Sequence, residues 1–146
     1  MKNETEQNWD EMSAAYENFT EDEDSYSYTI EWPCIEKMLP KLDGKKVLDL
    51  GCGTGRFDFL FEKENPLSIL GVDISQQMLN IAKNKAMKRS SKVKFIQYDI
   101  NNLNTYNNEQ FDFIFSSTTF HYIRDINGLF KNMYNLLEEK APVLFR

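Results

Sequence analysis

Before residue 46 apolar side chains recur at helical spacing; from Val47 onward they fall into short strand-like runs separated by further helical patterns. Trp9, Met12, Tyr16 and Phe19 predict an amphipathic helix over residues 8–19. Ile30, Cys34, Ile35, Met38 and Leu39 form the apolar face of a second helix over 29–40. Pro33 fits such a helix only in its first turn, which sets the true start near Glu31. The apolar runs predict strands at 46–50, 68–72, 93–98, 111–116 and 142–145, with helices at 55–63, 75–88 and 125–139. Asn65-Pro66 breaks the first crossover, and Ser75 is placed to N-cap the next helix. Asn101 through Gln110 is polar and asparagine-rich, a loop with at most one helical turn.

Strands alternating with helices predict a parallel sheet with crossover connections. Right-handed crossovers with a reversal after the third strand give the order 3-2-1-4-5 in a Rossmann-like, doubly wound α/β fold of three αβα layers. The whole chain, 1–146, is expected to be one domain: a helical cap over 1–45 and a cofactor-binding α/β core over 46–146. Ligands of such sheets sit beyond the carboxyl ends of the strands, where the order reverses between strands 1 and 4.

Composition narrows the ligand class. A net charge of −6 argues against duplex nucleic acid, which requires a basic face. The cluster Lys83, Lys85, Lys88, Arg89, Lys92 and Lys94 lies at a predicted helix end, where cations complement the dipole, so a solvated helix end is its simpler reading. The run Glu21-Asp22-Glu23-Asp24 reads as a solvated linker. No apolar run reaches the ~20 residues of a membrane helix, and the polar, acidic N-terminus lacks a secretory pattern. Cys34 (in the second helix) and Cys52 lack metal-ligand spacing, and there is one histidine, so no metal site is expected. Reduced thiols and a cytoplasmic location follow.

The most informative stretch is Val47-Leu48-Asp49-Leu50-Gly51-Cys52-Gly53-Thr54-Gly55. Apolar β-formers enter a turn with glycine at every second position, and a helical pattern follows from Arg56. Such a turn offers backbone N–H groups at a helix start, and glycine permits positive φ and close approach of a ligand. A small charged or nucleoside-bearing ligand is expected there. The dinucleotide fingerprint spaces its glycines as Gly-x-Gly-x-x-Gly; here the third arrives one residue early, and Asp49 would repel a pyrophosphate. Asp73 follows Gly51 by about twenty residues, the separation that sets an acid on a ribose edge. A helix-capping aspartate before Ser75 is the alternative.

The string resembles motif I of the class I S-adenosylmethionine-dependent methyltransferases. The resemblance implies that the turn at Gly51, Cys52, Gly53 and Gly55 takes the methionyl end of the cofactor, and that Asp49 supports the turn and the ammonium group. It assigns Asp73, with Ile74 beside it, to the ribose, Asp99 to the adenine amino group and Ile100 to the ring through its N–H; without it Asp99 reads as a strand-end turn residue, and Met78, one turn into the next helix, reads either as packing on an adenine face or as a core methionine. Phe111 to Ser117 followed by Thr118-Thr119-Phe120-His121-Tyr122 is similar to the fourth motif of the small-molecule branch, with Ser116 at the cofactor. The tetrad of DNA amino-methyltransferases and the paired-glutamate loop of arginine methyltransferases are absent. Trp9-Asp10 through Tyr16 is similar to the family helix that lies over the cofactor, where Tyr16 would give cation–π support; a core stripe is the alternative. His121 either takes a proton from the nucleophile or closes the cofactor pocket through hydrogen bonds, and the second is the simpler reading.

The resemblance covers nearly the whole chain, but the chain stops where the fifth strand ends, without the family's C-terminal strand hairpin. Glu138-Glu139-Lys140-Ala141-Pro142 replaces the usual glycine-rich turn before that strand. Val143-Leu144-Phe145 would then be an open edge, which suggests a homodimer through it. The expected function is methyl transfer from S-adenosylmethionine to a small-molecule acceptor, with S-adenosylhomocysteine as product. The alternatives are a non-catalytic cofactor-binding or interaction module and, less favoured, an NAD-dependent oxidoreductase.

Overall fold

A computed structural model of the chain describes residues 3–22, 24–106 and 109–146. Helix α1 spans Glu4–Thr20 and α2 Trp32–Met38. The core follows as β1 (Lys46–Leu50), α3 (Arg56–Phe61), β2 (Ser68–Asp73), α4 (Gln76–Arg89), β3 (Lys94–Gln97), β4 (Phe113–Ser116), α5 (Ile126–Leu136) and β5 (Val143–Phe145). All pairings are parallel, and the order is β3-β2-β1-β4-β5, as the crossover rules predict. None of the described helices is long and apolar enough to cross a membrane.

Strand alternation divides the core. Val47, Phe113 and Phe115 face α2, α3 and α4, whereas Leu48, Leu50 and Ile114 face α5. The first side is an aromatic stack: the Phe61 ring lies 5.0 Å from Phe115, and Phe57 lies 5.2 Å from it. Asp49 shares this face with Val47, which puts its carboxyl inside that layer and under α3.

The N-terminal elements differ from expectation. Asn3 caps α1 by accepting from the Glu6 N–H at 2.8 Å, so the helix starts earlier than residue 8. Its buried positions are Ser13 and Thr20, while Met12 and Phe19 stand exposed. The predicted helix over 29–40 is a π-turn at Ser27–Glu31 running into α2. Of its expected apolar face Ile35 is buried, but Ile30, Cys34 and Met38 are exposed. Spaced four residues apart, they form one stripe lining a groove beside Phe145, not the core.

The loop after β3 holds a kinked 3₁₀ segment, Ile100–Thr105, whose Ile100 and Leu103 fill the α5 side. Asn107 and Asn108 of that expected loop, like Glu23 of the acidic run, lie outside the described residues. The basic and acidic runs are not merely solvated. Lys85 of α4 pairs with Glu17 at 2.9 Å and Glu21 at 2.6 Å, which ties α1 to the core.

Candidate functional site

The glycine turn leaves β1 at the point where the strand order reverses. Gly51 and Cys52 both donate their N–H to the Val72 carbonyl, at 2.8 and 3.0 Å. Gly51 has φ +81°, and a Cβ there would lie 2.2 Å from Thr119 Oγ1. Position 51 therefore admits glycine for two independent reasons, backbone hand and space. At Gly53 a Cβ would meet only the Tyr16 ring, at 3.9 Å, because the residue faces a cleft.

That cleft is a cavity of about 330 Å³ between the strand ends and α1. Of the residues expected at a cofactor, Gly51, Gly53, Asp73, Ile74, Met78, Asp99, Ile100 and Tyr16 line it. Asp73 is fixed by two backbone donors, Gly53 N–H to Oδ2 at 2.8 Å and Ser75 N–H to Oδ1 at 2.9 Å. Burial pushes its carboxyl above the usual range, and these N–H groups pull it back. Ser75, not Asp73, is the N-cap of α4, its hydroxyl accepting from the Met78 N–H at 3.1 Å; Asp73 orders the turn before it and lines the cleft. Asp99 Oδ1 accepts from both the N–H and the side-chain amide of Asn101, each at 2.9 Å. The far wall is aromatic: Trp9 stands edge-on to Tyr16 at 5.6 Å and to Tyr122 at 6.0 Å.

A smaller chamber of about 30 Å³ shares Tyr16, Gly51, Gly53, Ser117 and Thr118 with the cleft. Its other walls include Asp49, Thr54 and Arg56, and Asp49 Oδ1, Thr54 Oγ1 and Arg56 Nη1 are buried there without a hydrogen-bond partner. Arg56 Nη2 donates to Glu31 Oε2 at 3.3 Å, and Glu31 Oε1 accepts from Ser117 Oγ at 3.0 Å and from Arg146. Burial, and then the charge of Asp58 in α3, push the Asp49 carboxyl well above its ordinary range. Burial likewise raises Asp58, to about 7.

Several expected site residues serve elsewhere. His121 is exposed and absent from the cleft lining, its ring against Tyr122 at 4.1 Å. The reason is local: Phe120–Tyr122 is a 3₁₀ turn, so successive side chains point about 120° apart. Phe120 packs on the core and Tyr122 takes the cleft, which leaves His121 outside. The Ser116 hydroxyl donates to the Leu50 carbonyl at 2.7 Å and links β4 to β1 instead of facing the cleft. Gly55 touches neither space; a Cβ there would strike the Phe95 ring at 2.6 Å, so it serves packing. Cys52 does line the smaller chamber, while its sulfur packs toward Gly71 and burial lifts its thiol well above the ordinary range.

Thr118 and Thr119 of the fourth-motif run line the cleft; Arg124, Asn101 and Asn102 line it without having been singled out, and Asn3 and Thr5 do so from the start of α1. Asn3 followed by Glu6 is a capping pattern that could have found that start. Arg56 and Glu31 had no local signal, since they meet across 25 residues.

Residues 47–140 match the family described as methyltransferase domain. Over 124 residues the chain is 34% identical to phosphoethanolamine N-methyltransferase 1 of Triticum aestivum, covering 83% of this chain and 25% of that protein. Malonyl-[acyl-carrier protein] O-methyltransferase 1 of Ilyobacter polytropus is 30% identical over 149 residues, 99% of this chain and 52% of that one. Among solved structures, phosphoethanolamine N-methyltransferase 2 of Haemonchus contortus in complex with S-adenosyl-L-methionine superposes with a TM-score of 0.78 at 26% identity, over 93% of this chain and 32% of that one. The chain thus spans about half or less of the length of these relatives. By sequence and by fold, it belongs to the methyltransferase domain family.

Proposed function

We propose that the chain binds S-adenosylmethionine and transfers its methyl group to a small-molecule acceptor, releasing S-adenosylhomocysteine. One observation carries the reading. The chamber beside the glycine turn holds one oxygen of Asp49 (Oδ1), one nitrogen of Arg56 (Nη1) and the Thr54 hydroxyl, each without a conventional hydrogen-bond partner. Buried polar atoms without partners are costly, and a zwitterionic amino-acid end at the mouth of this water-sized chamber would offer both charges a partner. The chamber shares five wall residues with the cleft, and a nucleoside in the cleft would meet Asp73 and Asp99, which would take ribose hydroxyls and the adenine amino group. The same geometry counts against NAD: the Gly53 N–H already donates to Asp73, and two buried acids flank the turn where a pyrophosphate would lie.

When bound, S-adenosylmethionine supplies an electrophilic methyl group on a sulfonium. The chain's own residues position and enclose. Asp73 fixes the turn, and Trp9, Tyr16 and Tyr122 form an aromatic wall suited to a cation. Displacement at a methyl group needs alignment more than proton transfer, which fits a cleft whose described lining contains no histidine or lysine. The proposal extends to the cytoplasm, since Cys34 and Cys52 are free thiols, and to a homodimer through the outer edge of β5, where Phe145 is half exposed. A stable monomer in light scattering at high concentration would remove the dimer.

Calorimetry tests the central reading. S-adenosylhomocysteine should bind and NAD should not; the reverse would overturn it. A radiolabelled methyl-transfer screen then separates turnover from binding alone.

A further inference from the structure

Asp58 is the one acid of α3, fully buried between Phe57 and Phe59. Neither of its carboxyl oxygens has a conventional donor, nor does Asp49 Oδ1. Asp49 lies on the sheet face under α3, and the two buried carboxyls act on each other. Two carboxylates bring no hydrogen to share, so they can hydrogen-bond each other only when one of them is protonated.

The surroundings do not supply enough positive charge to hold both ionised. Arg56, at the start of α3, faces Asp49 but is committed to Glu31; Lys85 of α4 acts on Asp58 but is committed to Glu17 and Glu21. From β2 Asp73 adds negative charge; Tyr16 of α1 and the Cys52 thiol, both close by, carry no positive charge. Two uncompensated anions that act on each other inside a core are disfavoured by desolvation and by mutual repulsion.

We propose that Asp58 is a positioning residue that keeps one proton on the Asp49–Asp58 pair, and that a ligand ammonium seated against Asp49 drives that proton into solvent. Charge balances on this route. The free pair carries one net negative charge; on binding it loses a proton, carries two, and the arriving ammonium restores the sum. Cofactor uptake is then proton-coupled and strengthens as pH rises. The inference rests on the cofactor reading above.

Calorimetry of S-adenosylhomocysteine binding near pH 7, in buffers of low and high ionisation enthalpy, reads the released proton directly. The native chain should release close to one proton per ligand, with affinity rising about tenfold per pH unit while the free pair is protonated. Asp58→Asn replaces the shared proton with a permanent amide N–H, so its release should fall toward zero and its affinity should flatten with pH. A native chain that binds without buffer dependence overturns this inference and leaves the cofactor reading intact; no binding at all overturns both. Should Asp58→Asn fail to fold, infrared difference spectra of the native chain decide. Loss of a protonated-carboxyl band on adding S-adenosylhomocysteine supports the proposal, and an unchanged band defeats it.

Discussion

The Gly53 amide donates to Asp73 Oδ2 at 2.8 Å across 20 residues of chain, so the glycine turn and the acid ending β2 are one unit. The other oxygen of Asp73 holds the Ser75 N–H and with it the first turn of α4. A carboxylate has about four lone-pair sites, so two backbone donors leave room for ribose hydroxyls.

Asp73→Ala should therefore weaken S-adenosylhomocysteine by ~1–3 kcal/mol, through lost ribose bonds and through a loosened turn. Asp73→Asn should do almost as badly, because its NH₂ would face one of the two backbone N–H groups. Calorimetry checks both, and an unchanged dissociation constant for Asp73→Ala refutes the ribose role.

Gly51→Ala should destabilise the fold by about 1–3 kcal/mol or more, since the new methyl meets Thr119 Oγ1 at 2.2 Å and φ stays at +81°. Pairing it with Thr119→Gly removes the collision but not the backbone strain, so thermal unfolding should show partial rescue. Full rescue would mean the positive φ costs nothing.

The Asp49–Asp58 pair gives stability a pH slope of definite sign. Asp58 lies near 7 in the fold against an ordinary value of 3.8, so the folded state binds more protons between those limits. Stability contributed by the pair is thus fully present below about pH 4 and lost as pH rises toward 7. Asp112 works oppositely: the Lys46 N–H lowers its carboxyl, so its contribution is lost only as pH falls below the usual carboxylate range. Urea unfolding of the native chain against Asp58→Asn isolates the first effect. The variant should lose the decline between pH 5 and 7, and an unaltered slope would assign that decline to other groups.

What the sequence made legible was local. The strands were readable because continuous apolar runs at Val47, Ile69 and Phe113 are bounded by glycine, proline and polar turns. Gly51, Gly53, Asp73 and Asp99 were readable because each sits at a strand end, where backbone direction fixes what a residue can reach. His121 misled because a loop residue next to a strand end has no such constraint; Thr118, at φ +52°, starts the turn that sends it outward. Ile30, Cys34 and Met38 misled because an apolar stripe does not say whether it faces a core or a groove. Glu31 joins Arg56, Ser117 and Arg146 across 25, 86 and 115 residues, and no pattern along the chain encodes such a meeting. Asp58 did carry a signal, an acid flanked by phenylalanines inside an apolar helix.

The anchor of α1 offers the last test. Lys85 is 12% exposed and holds Glu17 and Glu21, which are 19% and 28% exposed, so this cluster lies between a surface pair and a buried one. Lys85→Met keeps the aliphatic volume but gives up the ammonium over the Phe59 ring, and it leaves Glu17 and Glu21 facing each other with only the half-exposed Arg89 beside Glu21. The expected cost is about 1–3 kcal/mol, above exposed pairs and below fully buried ones. Glu17 Oε2 is already buried without a partner, which makes relaxation of that side chain harder. Chemical denaturation should show the loss, added salt should narrow it by screening the repulsion, and adding Glu17→Gln should recover part of it. Because α1 carries Trp9 and Tyr16 to the cleft, ligand affinity should fall along with stability. A denaturation midpoint equal to that of the native chain would show that α1 is held by its other contacts, such as Asp10 Oδ1 accepting from the Ser75 hydroxyl at 2.6 Å and the Gln77 N–H at 3.0 Å.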